Sequence, residues 1–171
     1  MRTDETTCRS SRGFSVVEVL IATAIFFIIA IGVLPLFTQA MANNVAGKES
    51  TEVTNFTKSQ IEEMLQLPFN DERMTVPAGA NVRETVEHWD KAADAWLPGP
   101  AVDGSPWVRT TRVRQFGVND LIDGFLDNPL SGSFPAEQIH LKEIEVEVRG
   151  TRDSGPFGGA KRTSVRMLRA I

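Results

Sequence analysis

The chain holds a single cysteine, Cys8, among its 171 residues, so no disulfide can form within it. Cys8 also precedes the long apolar run of the chain instead of following it, the wrong order for a lipid-anchored cysteine, and reads as incidental. Histidine is almost as scarce. His88 and His140 are far apart and have no cysteine or carboxylate at ligand spacing, so surface or partly buried histidines are the ordinary reading and no metal or cofactor is expected. A positive balance is missing too: the formal charge is −4, which argues against a general nucleic-acid binder. There is no phosphate-cradling glycine loop, no nucleophile–base arrangement and no internal repeat, and the expectation is that the protein is not an enzyme.

The most informative scarcity is of charge near the N-terminus. Between Arg12 and Lys48 the only ionisable group is Glu18, and Val19–Phe37 runs VLIATAIFFIIAIGVLPLF without a charge. As a helix, residues 14–37 would be roughly 36 Å long, enough to cross a ~30 Å hydrocarbon core with some tilt. A carboxylate entering such a segment costs of order several kcal/mol before relaxation, so its default reading is functional, with a partner. No Lys, Arg or His lies within a few helical turns after Glu18, so that partner has to come from outside the segment. Gly32 and Pro35 fall inside the apolar zone, and proline's missing N–H predicts a kink or a locally loosened helix near Ile31–Pro35.

Before this stretch, Arg2, Arg9 and Arg12 stand against Asp4 and Glu5, a net +1 that leaves −5 for the rest of the chain. A weakly basic end fits retention on the cytoplasmic side while the bulk is exported. After Phe37 the helical pattern continues but becomes two-faced. Val45, Val53, Phe56, Ile61, Met64 and Leu65 fall mostly on one side, and Lys48, Glu49, Glu52, Lys58, Glu62 and Glu63 supply the other. Leu67-Pro68 predicts the stop.

Residues 70–106 are punctuated by proline and glycine and read as mostly loop, with a short strand around Val82–Val86. Trp107–Phe116 reads as a strand, and 117–136 as loop. The clearest strand is Lys142–Arg149, where Ile144, Val146 and Val148 alternate with Glu143, Glu145, Glu147 and Arg149, which predicts one buried and one wet face. Thr151–Ala160 is a glycine-rich connection, and Thr163–Ala170 is the partner strand, with Val165 and Met167 on one face. The expected fold class is therefore α+β: a long helix first, then three or four antiparallel strands, the helix stripe and the sheet each covering the other's apolar face.

Two further clusters have ordinary readings. Asp120, Asp123, Asp127 and Asn128 lack the spacing and closing glutamate of a calcium loop, and turn chemistry accounts for them. Arg109, Arg112 and Arg114 read as a solvated strand face, DNA contact being the rarer alternative. Ala40-Met41-Ala42 has the form of a signal-peptidase site, but the apolar region is too long and Glu18 would lie within it.

Gly13-Phe14-Ser15-Val16-Val17-Glu18-Val19-Leu20, followed by the apolar helix, resembles the N-terminus of type IV pilins and type II secretion pseudopilins. Members of that family have a short basic leader ending in glycine, a phenylalanine that begins the mature chain and a glutamate at its fifth residue. Pro35 also sits where many members carry a helix-breaking proline. The resemblance is specific over about residues 9–40 and architectural beyond. It implies a pilin-like fold and a prepilin peptidase as partner, which cuts between Gly13 and Phe14 and N-methylates Phe14. It implies further that Glu18 is neutralised by the N-terminal amine of an adjacent subunit, so that other pilin or pseudopilin subunits are partners through the helix. Gly32 and Pro35 become the flexible region. The leader is somewhat long and acidic, Ser15 stands where threonine is common, and the cysteine pair of many major pilins is missing after Cys8. The missing cysteine pair, together with the wording of the motif at Glu18-Val19-Leu20-Ile21-Ala22, points to a minor pilin of the PilV-like kind or a minor pseudopilin.

The organisation expected from this is a leader at 1–13, a transmembrane and assembly helix at 14–37, its amphipathic continuation at 38–68, and a periplasmic globular part at 69–171. The protein would sit in the inner membrane as a single-pass subunit before entering a pilus or pseudopilus. The alternatives are a pilus-associated module that binds surfaces or DNA through residues 70–136, and a plain single-span envelope protein.

Overall fold

The computed structural model describes residues 15–151 and 160–171. They form two compact units, one ending at Asn44 and the other comprising Val45–Ile171. Helix α1, Val16–Gln66, contributes to both. Its ends agree with the expected start near Phe14 and stop at Leu67-Pro68. Helical structure continues through Gly32 and Pro35. Proline removes one donor from the ladder and leaves its neighbours' bonds in place, so the loss is local. Side chains add bonds of their own within the apolar half, from Thr23 Oγ1 to the Val19 carbonyl at 2.8 Å and from Thr38 Oγ1 to the Pro35 carbonyl at 2.8 Å.

In the second unit, five antiparallel strands form one sheet: β1 (Arg83–Asp90), β2 (Ala95–Pro98), β3 (Trp107–Phe116), β4 (Leu141–Gly150) and β5 (Arg162–Ala170), in the order β2-β1-β3-β4-β5. This exceeds the three or four strands expected, because 70–106 is more than loop. The β1–β2 hairpin turns at Asp90, whose carboxylate accepts from the Ala92 and Ala93 amides at 2.7 and 3.1 Å. Those bonds, Ala93's first, hold its pKa below the ordinary value. Within 117–136 there is also a short helix, α2 (Val118–Asp123), closed by Gly124 at φ +75°. The same segment passes close to the chain at Gly132, where any Cβ would run into the Val76 and Pro77 carbonyl oxygens. Most of the Thr151–Ala160 connection lies outside the described residues.

One face of the sheet meets the second half of α1. The core joins Val53 and Met64 of the helix to Trp107 and Val113 of β3, to Ile144, Val146 and Val148 of β4, and to Met74. The helix stripe differs from the expected one. Its buried positions are Val53, Thr57, Gln60 and Met64, while Val45 and Leu65 are exposed. Hydrophobic spacing chose the helix correctly, but its rotation over the sheet puts two polar residues inward, and Thr57 satisfies itself on the Val53 carbonyl at 2.8 Å. At the β1–β2 side, Phe56, Trp89 and Trp96 pack with ring centroids 5.1–5.4 Å apart. Arg109 lies 4.4 Å over Trp96 and donates to Glu87 at 2.6 Å. At the far end of α1, Arg169 of β5 donates to the Leu67 carbonyl at 2.6 Å, supplying a cation that the last helical turn lacks.

The opposite face of the sheet is the larger surprise. β4 was expected to be wet there, yet Glu143 and Glu147 are buried. Arginines from both neighbouring strands cover them. Arg114 reaches Glu143 at 2.8 Å, Arg166 reaches Glu143 at 3.1 Å, and Arg162 reaches Glu147 at 2.8 Å. Arg112 lies directly opposite Glu145 and bonds Glu84 of β1 at 2.9 Å, a contact that raises its pKa further. A strand with glutamates at alternate positions thus lies between arginines of both neighbours, Arg112 and Arg114 on one side and Arg162 and Arg166 on the other, and together they close a charged layer.

Lys142 is the third unexpected burial, 1% exposed on the helix-facing side. Its ammonium donates to the Phe69 carbonyl at 2.6 Å and lies 4.5 Å from the Phe69 ring. Desolvation, with Arg169 as the second cause, pushes its pKa down to about 8 from the ordinary 10.5.

The unfolded chain therefore binds the Lys142 proton more tightly than the folded one, and its contribution to stability rises as pH climbs from about 8 to 10.5. Urea unfolding of the full chain in detergent, followed by the fluorescence of Trp89, Trp96 and Trp107, should show wild type gaining on Lys142→Met over that interval. A constant difference would contradict the assigned burial. In the charged layer, Arg114→Ala should cost about 1–3 kcal/mol because buried Glu143 loses a partner. Glu143→Gln added to Arg114→Ala should cost less than the two separate losses summed, and strict additivity would show that the pair is not coupled.

Candidate functional site

Glu18 sits in the first turn of α1, where a carboxylate also complements the partial positive charge of the helix start. The helix begins with the Val19 amide bonded to the Ser15 carbonyl at 3.2 Å. Ser15, Val17, Ile21, Ala22 and Ile25 line a shallow apolar hollow on one side of Glu18; Val19, Ala22, Thr23 and Phe26 line another. Among the described residues no cation pairs with Glu18. Lys48 is the first basic residue after it, and its partner is Glu52 at 3.8 Å. The carboxylate thus stands on an apolar surface with no counter-charge from its own described chain.

That surface has no cover within the described chain either. α1 contains an 18-residue window with a mean hydropathy of 2.8, none of it buried, and it is the one described helix long and apolar enough to cross a membrane, by length and composition. Ile28 and Ile31 are each 71% exposed, and Phe26, Phe27, Leu34, Leu36 and Phe37 are similarly open. Contiguous apolar area of this extent is not stable against water and marks a membrane or a helix-packing surface.

The other residues singled out from the sequence separate from this site. Gly13 and Phe14 lie outside the described residues, as does Cys8. Gly32 and Pro35 lie within continuous helix. His88 is buried beside the Gly99 carbonyl at 3.4 Å, and His140 contacts the Gln138 carbonyl at 3.0 Å. Asp120 is buried on α2, and Asp123 accepts from the Phe125 amide at 2.9 Å, as turn chemistry requires. Among the described residues, no cluster of three metal-ligating side chains forms. Arg109, Arg112 and Arg114, the candidate DNA contacts, do not share a face: Arg109 is on the helix side, and all three are engaged with glutamates. The charged layer itself had a cue in the sequence, since the alternating glutamates of 143–147 have opposite-charge partners in the arginines of the strands read at 107–116 and 163–170.

Comparison with known proteins agrees with this division of the chain. Residues 8–34 match the family model of the prokaryotic N-terminal methylation motif. No curated protein and no solved structure matches the chain. The matched segment includes Gly13, Phe14 and Glu18 and the start of the uncovered helix, and stops just before Pro35. Over residues 8–34, then, the chain carries the prokaryotic N-terminal methylation motif, joined here to a long apolar helix and an α+β unit.

Proposed function

We propose that the protein is a minor pilin or pseudopilin, a structural subunit of a type IV pilus or a type II secretion pseudopilus. The observation that carries this reading is the lone carboxylate of Glu18 on an apolar, membrane-length helix, inside the matched motif. Residues 1–13 are the leader. Cleavage falls between Gly13 and Phe14, where glycine allows the chain to lie extended in a protease cleft, and the new N-terminus on Phe14 is methylated. Residues 14–37 then hold the subunit in the inner membrane, with 38–68 continuing the helix and 69–171 on the periplasmic side.

In the filament, the apolar helices of neighbouring subunits replace lipid. Glu18 meets the positively charged amine of Phe14 on an adjacent subunit, which neutralises both groups in a medium where neither is stable alone. Removing one member of such a buried pair typically costs ~3–5 kcal/mol, so the pair selects one axial register over others. Gly32 and Pro35 weaken the ladder at one point and allow the helix to adjust as it leaves lipid. The missing cysteine pair after Cys8 supports a minor over a major subunit.

The intact mass and N-terminal sequence of the protein from its native membrane test the processing step. A chain beginning at methylated Phe14 is expected; a chain beginning at Asn43 or an uncut chain would overturn the reading. Glu18→Ala should still be cleaved but should incorporate poorly into filaments, as scored by the sheared fraction. Incorporation at the wild-type level would remove the assembly role of Glu18.

A further inference from the structure

β5 is an edge strand of nine residues, and among the described residues nothing pairs with its outer side. The opposite edge, β2, has four residues. Long open edges are normally blunted by proline, a bulge, shortness or a covering element. β5 has no proline, and its register with β4 runs without a bulge from Leu141↔Ala170 to Arg149↔Arg162. Its direction of bonding is set by the ladder. The Gly150 amide donates to the Lys161 carbonyl at 2.7 Å, and the Ile171 amide to the His140 carbonyl at 3.3 Å, so odd-numbered residues face β4. The amides and carbonyls of Arg162, Ser164, Arg166 and Leu168 therefore point away from the sheet.

The side chains of these same residues lie on the charged face. Arg162 and Arg166 use one side of their guanidinium groups on Glu147 and Glu143, yet stay 66% and 58% exposed. Each guanidinium has five donors in a fixed fork, which leaves N–H groups over for a second carboxylate on the open side. A second copy of β5 is a poor occupant. Antiparallel pairing centred on Arg166 sets Arg166 against itself, and centring on Ser164 sets Arg162 against Arg166; centring on Val165 avoids direct opposition but leaves Arg166 diagonal to both arginines of the other copy, so every such register gathers like charge with no new carboxylate. On its inner side β5 shows what these arginines accept: Glu145 stands opposite Arg166, and Glu143 and Glu147 reach Arg166 and Arg162 diagonally, which holds even with Arg149 opposite Arg162.

We propose that β5 is a docking edge for an extended segment of a partner protein with acidic residues at every second position, bound by strand addition. Backbone bonds to the outward-facing groups give affinity, and Arg162 and Arg166 select the charge pattern. The partner's carboxylates would continue the Glu–Arg alternation by one more strand.

The test uses the full chain in detergent and two fluorescein-labelled peptides: one with the β4 sequence KEIEVEVR, the other with its three glutamates replaced by lysine. Fluorescence anisotropy should show the acidic peptide binding about tenfold or more tighter, with affinity falling as salt rises. The acidic peptide should also slow amide hydrogen exchange at Ser164, Arg166 and Leu168. Ser164→Pro removes an outward N–H and leaves the β4 ladder intact, so it should weaken binding about tenfold or more with an unchanged urea midpoint. No binding of the acidic peptide, equal binding of both, or binding without protection of the β5 amides would each overturn the proposal. Should Ser164→Pro lower the urea midpoint, the peptide comparison and the exchange pattern on wild type still decide it.

Discussion

β4 must be buried on both faces, and the rest of the second unit follows from how each face is closed. On one side, Ile144, Val146 and Val148 need an apolar cover, and the second half of α1 supplies Val53 and Met64. On the other side Glu143, Glu145 and Glu147 cannot be covered by hydrocarbon, because an unpaired buried carboxylate costs more than its packing returns. They are covered by arginines from β3 and β5 instead. Each pair alone would be worth little at a surface, but a connected layer with short contacts holds three strands in a single register, since a slip of one residue would turn every glutamate to the helix-facing side of the sheet.

α1 belongs to two solvents. Its second half has one buried stripe and one wet face and is stabilised by tertiary contact, down to the arginine that β5 lends to its last carbonyls. Its first half has no such contacts among the described residues and depends on lipid or on other helices for cover. A subunit built this way has a stable folded part and an uncovered helix whose energetic needs are met only by changing surroundings. The carboxylate at Glu18 makes the same demand in electrostatic terms. Apolar area asks for any greasy neighbour, whereas a lone charge asks for one particular neighbour at one particular height.

The structure modifies the picture of the sheet more than that of the helix. Trp107–Phe116 and the β4 strand were readable because β-branched residues and strict alternation have a period of two. β2 was not, since four residues that end in Pro98 and run into Gly99-Pro100 carry no period, and only pairing with β1 makes them a strand. The same limit applied inside α1. Thr57 and Gln60 do not look like core positions, and only the position of the sheet turns them inward. Lys142 shares the parity of Ile144, Val146 and Val148, but only the loop that places the Phe69 carbonyl over it lets an ammonium be buried there.

What the sequence determined by itself is what one continuous segment can express: a membrane-length apolar run, its single carboxylate, the methylation-motif match that takes in the carboxylate and most of the run, and helix and strand periods after it. These are properties of local order, and nothing distant is needed to state them. The tertiary structure decided which charges are buried, which strands are neighbours and which edge stays open. Those depend on residues far apart in the chain, such as Arg114 with Glu143 or Arg169 with Leu67, whose proximity exists only once the sheet has formed.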